Sequence, residues 1–98
     1  MKVFAIGAIT NPPATPEAFD AILTKEVPAT LQNYLDGKIE QFWYRKDRRG
    51  VIFLMDAASV DDVKATVEVL PLTHAGHMTF DFIPVGPLAP LGRLIAAK

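Results

Sequence analysis

Two segments of this chain are apolar at every position. Val3 to Ile9 and Val51 to Met55 hold no charged and no hydrogen-bonding side chain. Successive residues of a strand point to opposite faces of a sheet, so a strand without alternation is covered on both sides. The chain has 98 residues, enough for one domain with one core. Half of its residues are apolar and 21% are charged, which excludes a disordered chain. A domain this small has much surface per residue. An apolar share this large implies that part of the surface meets a partner.

The elements follow in order. Lys2–Ile9 reads as a strand, and Asn11-Pro12-Pro13 opens a loop. Thr15-Pro16-Glu17 has the hydroxyl cap, first-turn proline and early acid of a helix start. Phe19, Ile22, Leu23, Val27, Leu31, Tyr34 and Leu35 then recur at helical steps. Pro28 predicts a kink, or two helices meeting, and Asp36-Gly37 ends the segment. Ile39–Arg45 is a second strand, joined by the polar turn Lys46 to Gly50 to a third, Val51–Ala57. Ser59 caps a second helix whose apolar face is Val60, Val63, Val67 and Leu70, and Pro71 stops it. Met78–Val85 is the fourth strand, with Phe80 and Phe82 on one side and Thr79 and Asp81 on the other. Residues 86–98 form an extended tail, with a short helical turn over Arg93–Lys98.

The order βαββαβ is that of an α+β, ferredoxin-like domain spanning residues 1–98: a four-stranded antiparallel sheet with two helices on one face. The helices cover one face, yet strands 1 and 3 are apolar on both. The economical cover for the second face is another copy of the same sheet, giving a homodimer or a higher oligomer built from dimers. The tail is placed to cross to that partner.

Several function classes drop out. A net charge of −1 with no basic stripe gives no basis for binding nucleic acid. No apolar run approaches the roughly 20 residues of a membrane span. The absence of cysteine excludes a disulfide scaffold and fits a reducing cytoplasm, the expected location. Val3 to Ile9 is short for a secretory core and contains Gly7. No glycine-rich phosphate loop is present, so no nucleotide cofactor is expected, and no other cofactor is implied. His74 and His77 lack a third ligand at a metal-binding spacing, so no metal is expected either.

Four features together resemble the muconolactone isomerase family of the dimeric α/β-barrel superfamily. Gly37-Lys38 leads into a strand that holds Trp43. Asp56 ends the third strand and Ser59 follows at the helix cap. The second helix runs out into Leu70-Pro71-Leu72, and the last strand into Pro87-Leu88-Ala89-Pro90. Aligned backward from Gly37, Glu26 falls where that family places a glutamate. The resemblance implies a dimeric barrel and a cofactor-free isomerase that moves a proton on a small lactone or organic acid, in a pocket between sheet and helices. The chain departs from the family at Pro28 and in the end of its tail.

Such a reaction needs one group to take a proton from carbon and return it elsewhere, with water excluded. Glu26, flanked by Phe19, Leu23 and Val27, and His74, in the connection before the fourth strand, are the candidate catalytic residues. Trp43 and Tyr44, on opposite sides of the second strand, and Asp56, at the end of the third, are the candidate substrate-binding residues. Each also has a structural reading, as packing or as a cap. The cations Lys46, Arg48 and Arg49 would attract a substrate carboxylate, although Asp47 offsets them in part. Two other functions fit the same fold: a non-catalytic small-molecule-binding or assembly protein, and a cofactor-free monooxygenase of small aromatics.

Overall fold

The computed structural model describes residues 1–87. Most of the tail therefore lies outside the described residues, including the turn expected over Arg93–Lys98. The elements are β1 (Lys2–Ile9), α1 (Pro16–Leu35), β2 (Ile39–Tyr44), β3 (Gly50–Asp56), α2 (Val60–Glu68), α3 (Pro71–His74) and β4 (Met78–Val85). The sheet order is β2-β3-β1-β4, with every neighbouring pair antiparallel. This is the ferredoxin-like α+β arrangement.

The local signals act as the sequence implies. The Thr15 hydroxyl accepts a hydrogen bond from the Ala18 N–H at 3.1 Å, and the Ser59 hydroxyl accepts one from the Asp62 N–H at 3.2 Å. Gly37 takes φ of +79° just past α1, a left-handed conformation that glycine adopts without a Cβ clash.

One expectation at Pro28 is corrected: two helices do not meet there, since α1 runs through it as one element of 20 residues. Pro28 is exposed, so the Thr24 carbonyl that loses its donor lies where water can take its place. The second helix ends before Pro71, as α2 stops at Glu68, and Pro71 also starts the short α3, with a proline ring at the first-turn position where no donor is missed.

The core lies between the sheet and the helices. Val3, Ala5, Ile39, Phe53 and Met55 meet Val63, Val67 and Leu70, all nearly inaccessible. Ala29 of α1 packs on the same cluster, so α1 and α2 cover one face. A register shift between Ile39 and Gln41 marks a bulge at Glu40. It allows both Ile39 and Phe42 to pair with core-facing residues of β3, namely Met55 and Phe53.

The alternate residues point away from the helices. Phe4, Ile6 and Ala8 of β1, Ile52 and Leu54 of β3, and Trp43 of β2 share this second face. Ile83 of β4, paired with Phe4, joins them and is 49% exposed. Among the described residues no helix covers this face.

Candidate active site

The apolar stripe of α1 is not all core. Val27, Leu31, Tyr34 and Leu35 are exposed, and the one buried residue of the helix is the acid Glu26. The exposed stripe of α1 thus borders a gap between the helix and β2. The gap is a cavity of about 620 Å³. That is within the roughly 300–1,000 Å³ usual for small-molecule sites.

Three elements build its walls. Phe19, Leu23, Val27 and Leu31 come from α1, Phe42 and Tyr44 from β2, and Val51 and Phe53 from β3. Leu72 of α3 and Met78 at the start of β4 also line it, and its outer side is open. Tyr34 meets Phe42 edge-on at 5.3 Å between ring centroids and ties the end of α1 to β2.

Glu26 lines this cavity and is 7% exposed. Its Oε2 is buried and has no hydrogen-bond partner among the described residues. Burial raises its pKa above the ordinary carboxylate value, because the charged form loses its water; the Leu72 backbone amide acts in the opposite sense and more weakly. Burial thus favours the protonated form of this carboxyl, a group that can take up and release a proton.

The other named residues divide. Tyr44 lines the cavity and is largely exposed at its rim. Trp43 also borders it, but its pairing with Ile52 turns the indole towards the second sheet face. His74 ends α3, is exposed, and is not among the lining residues. Asp56 lies at the end of β3 away from the hairpin. There it pairs with the N-terminal amine at 3.3 Å and with Lys2 at 3.5 Å, and these cations lower its pKa. Neither His74 nor Asp56 therefore lines the cavity that holds Glu26. His77 is engaged elsewhere: its Nδ1 is 2.7 Å from the Asn11 carbonyl oxygen and donates to it.

Two arginines, Arg45 and Arg49, line the cavity; Arg45 is held by Asp47, and Arg49 is the one that the pattern of the sequence did not separate from its neighbours. Its guanidinium carbon lies 4.4 Å from the centroid of the Phe19 ring. Only the pairing of hairpin and helix across the cavity mouth distinguishes it from Lys46 and Arg48. Among the described residues no group of three or more His, Asp or Glu side chains is arranged to hold a metal. No helix there is long and apolar enough to cross a membrane.

Neither protein-family models nor curated sequences match this chain. Solved structures do. Muconolactone isomerase superposes with a TM-score of 0.75 at 16% identity, over 89% of this chain and 90% of that one. A 5-chloro-2-hydroxyhydroquinone dehydrochlorinase from Burkholderia phenoliruptrix AC1100, solved with 2,5-dihydroxybenzoquinone, superposes with a TM-score of 0.67 at 20% identity. That match covers 88% of this chain and 94% of the dehydrochlorinase. At these identities the likeness establishes a shared fold, and it agrees with the resemblance carried by Glu26, Trp43, Asp56 and Leu70-Pro71-Leu72.

Proposed function

We propose that this chain, which has the fold of muconolactone isomerase, is a cofactor-free enzyme that moves a proton on a small unsaturated lactone or organic acid. One observation carries the reading: Glu26 is a buried acid with an unpartnered oxygen on the wall of an otherwise largely apolar cavity. An unpaired buried carboxyl costs stability, and a catalytic role accounts for its presence. The two neighbours in fold are named as enzymes acting on small unsaturated or aromatic molecules, which is in keeping with it.

The proposed step balances without a cofactor. The Glu26 carboxylate removes a proton from a carbon next to the substrate carbonyl, and the bonding pair moves into a conjugated enolate. Protonated Glu26 then returns the proton to the far end of that system. One C–H bond breaks, one forms, and the carboxylate is restored. The apolar walls keep water from intercepting the enolate. Tyr44, at the rim, is placed to orient the substrate.

The reading includes a homodimer, in which the uncovered sheet faces of two copies meet. A soluble protein in a reducing cytoplasm is the setting that fits it.

The test is turnover of a panel of unsaturated lactones, followed by ultraviolet absorbance as the double bond moves. Glu26→Gln is expected to lower kcat by about a hundredfold or more, since general acid–base groups typically supply 10²–10⁴. Wild-type turnover that survives in Glu26→Gln would remove Glu26 from the mechanism. Lactone binding by the wild type without turnover would favour the non-catalytic binding protein instead.

A further inference from the structure

We infer that Arg49 binds the anionic group of an acidic substrate at the cavity mouth and so directs the rest of that molecule towards Glu26. The inference deepens the preceding reading: it takes the same cavity and names its substrate class, a small organic acid with a flat apolar body.

The argument begins with how Arg49 is held. It lies at the end of the hairpin turn, directly before Gly50, and its carbonyl accepts a hydrogen bond from the Ile9 N–H at 2.9 Å. That bond ties the turn to the end of β1. The side chain then reaches across to α1, where the guanidinium sits over the Phe19 ring. Arg49 therefore bridges sheet and helix, and it borders both the main cavity and a second hollow beside Pro12 to Pro16. Stacking on an aromatic face occupies the plane of a guanidinium but leaves its N–H edge free, and that edge matches a carboxylate in two-pronged fashion.

The neighbouring arginines are spoken for. Arg45 donates to both oxygens of Asp47, at 2.9 and 2.6 Å. Arg48 has its Nε 3.9 Å from the same carboxylate. Among the described residues no carboxylate pairs with Arg49. Glu26 lines the same cavity, but no ion pair joins it to Arg49. The result is a cavity with a free cation at its mouth, aromatic and aliphatic walls, and the buried carboxyl of Glu26 in its lining. A neutral ligand would leave the cation unused, whereas an acid satisfies it.

Benzoate and its neutral isostere benzamide separate these cases by isothermal titration calorimetry. The wild type is expected to bind benzoate more tightly than benzamide, and more weakly as salt is added. Arg49→Gln is expected to lose about five- to tenfold in benzoate affinity while its benzamide affinity stays the same. Arg48→Gln, one position away, is the control for a general change in surface charge and should leave both affinities unaltered. Equal binding of the two ligands by the wild type, no loss in Arg49→Gln, or an equal loss in Arg48→Gln would each overturn the inference. Binding needs no turnover, so the two proposals fail separately. Intact benzoate selectivity in a chain that isomerises nothing removes the proton-transfer step alone, and turnover with unselective binding removes the anchor alone.

Discussion

At the scale of single residues, one buried acid carries much of the account. Burial raises the Glu26 pKa, so between the ordinary glutamate value and the raised one the native state binds a proton that the unfolded chain has released. Stability then falls as pH rises through that window; the penalty is absent below it and complete above it. Glu26→Gln removes the charge but keeps the shape. Urea unfolding should find the variant close to wild type near pH 4 and more stable than wild type above neutrality. A gap that stays constant with pH would mean that Glu26 ionises freely in the folded chain, and one that shrinks would mean that folding favours its charged form. Gly7 shows the opposite kind of constraint. A Cβ there would come within 2.7 Å of the Phe80 ring, so Gly7→Ala should destabilise by about 1–3 kcal/mol, read from the urea midpoint.

At the scale of elements, α1 sets the site. Its first turn is capped, its middle is anchored by Ala29 and its end meets β2 through Tyr34, while its exposed apolar stripe borders the cavity. Pro28 weakens it, and the defect faces water. Pro28→Ala restores the missing donor and should stabilise the chain by about 1–2 kcal/mol, part of the gain being lost to a freer unfolded state. An unchanged urea midpoint would show that the helix already bends around the proline at no cost. The element scale is also where the sequence is most legible. The caps at Thr15 and Ser59, the glycine end at Gly37 and the bounds of β1 and β4 depend on local periodicity and local hydrogen bonds and appear as read, while β2 and β3 differ by one residue at their ends. The bulge at Glu40 and the restart of helix at Pro71 escape such a reading: a shift of register leaves no periodic mark, and a proline ends and starts helices alike.

At the scale of the whole molecule, the two apolar strands explain the composition. Val3, Ala5, Phe53 and Met55 fill the core, while Phe4, Ile6, Ile52 and Leu54 point to the uncovered face. The dimer proposal makes that face the seam between two copies. Leu54→Lys places a charge in its middle and should give a monomer mass by light scattering where the wild type gives a dimer. A monomeric wild type at micromolar concentration would leave the face without its proposed cover. The cavity itself was only partly legible. Glu26 and Tyr44 could be named from residue type and neighbours, because they belong to elements that the periodicity defines. That Arg49 reaches the mouth while His74 and Asp56 stay away is set by distances between elements, and no spacing along the chain encodes those. The most direct test of the central claim, an acid whose pKa is raised by burial in a largely apolar cavity, is the carbon-13 NMR titration of the Glu26 side-chain carboxyl. The account predicts that it titrates above the ordinary glutamate value. A Glu26 that titrates at that value or below it would contradict the account.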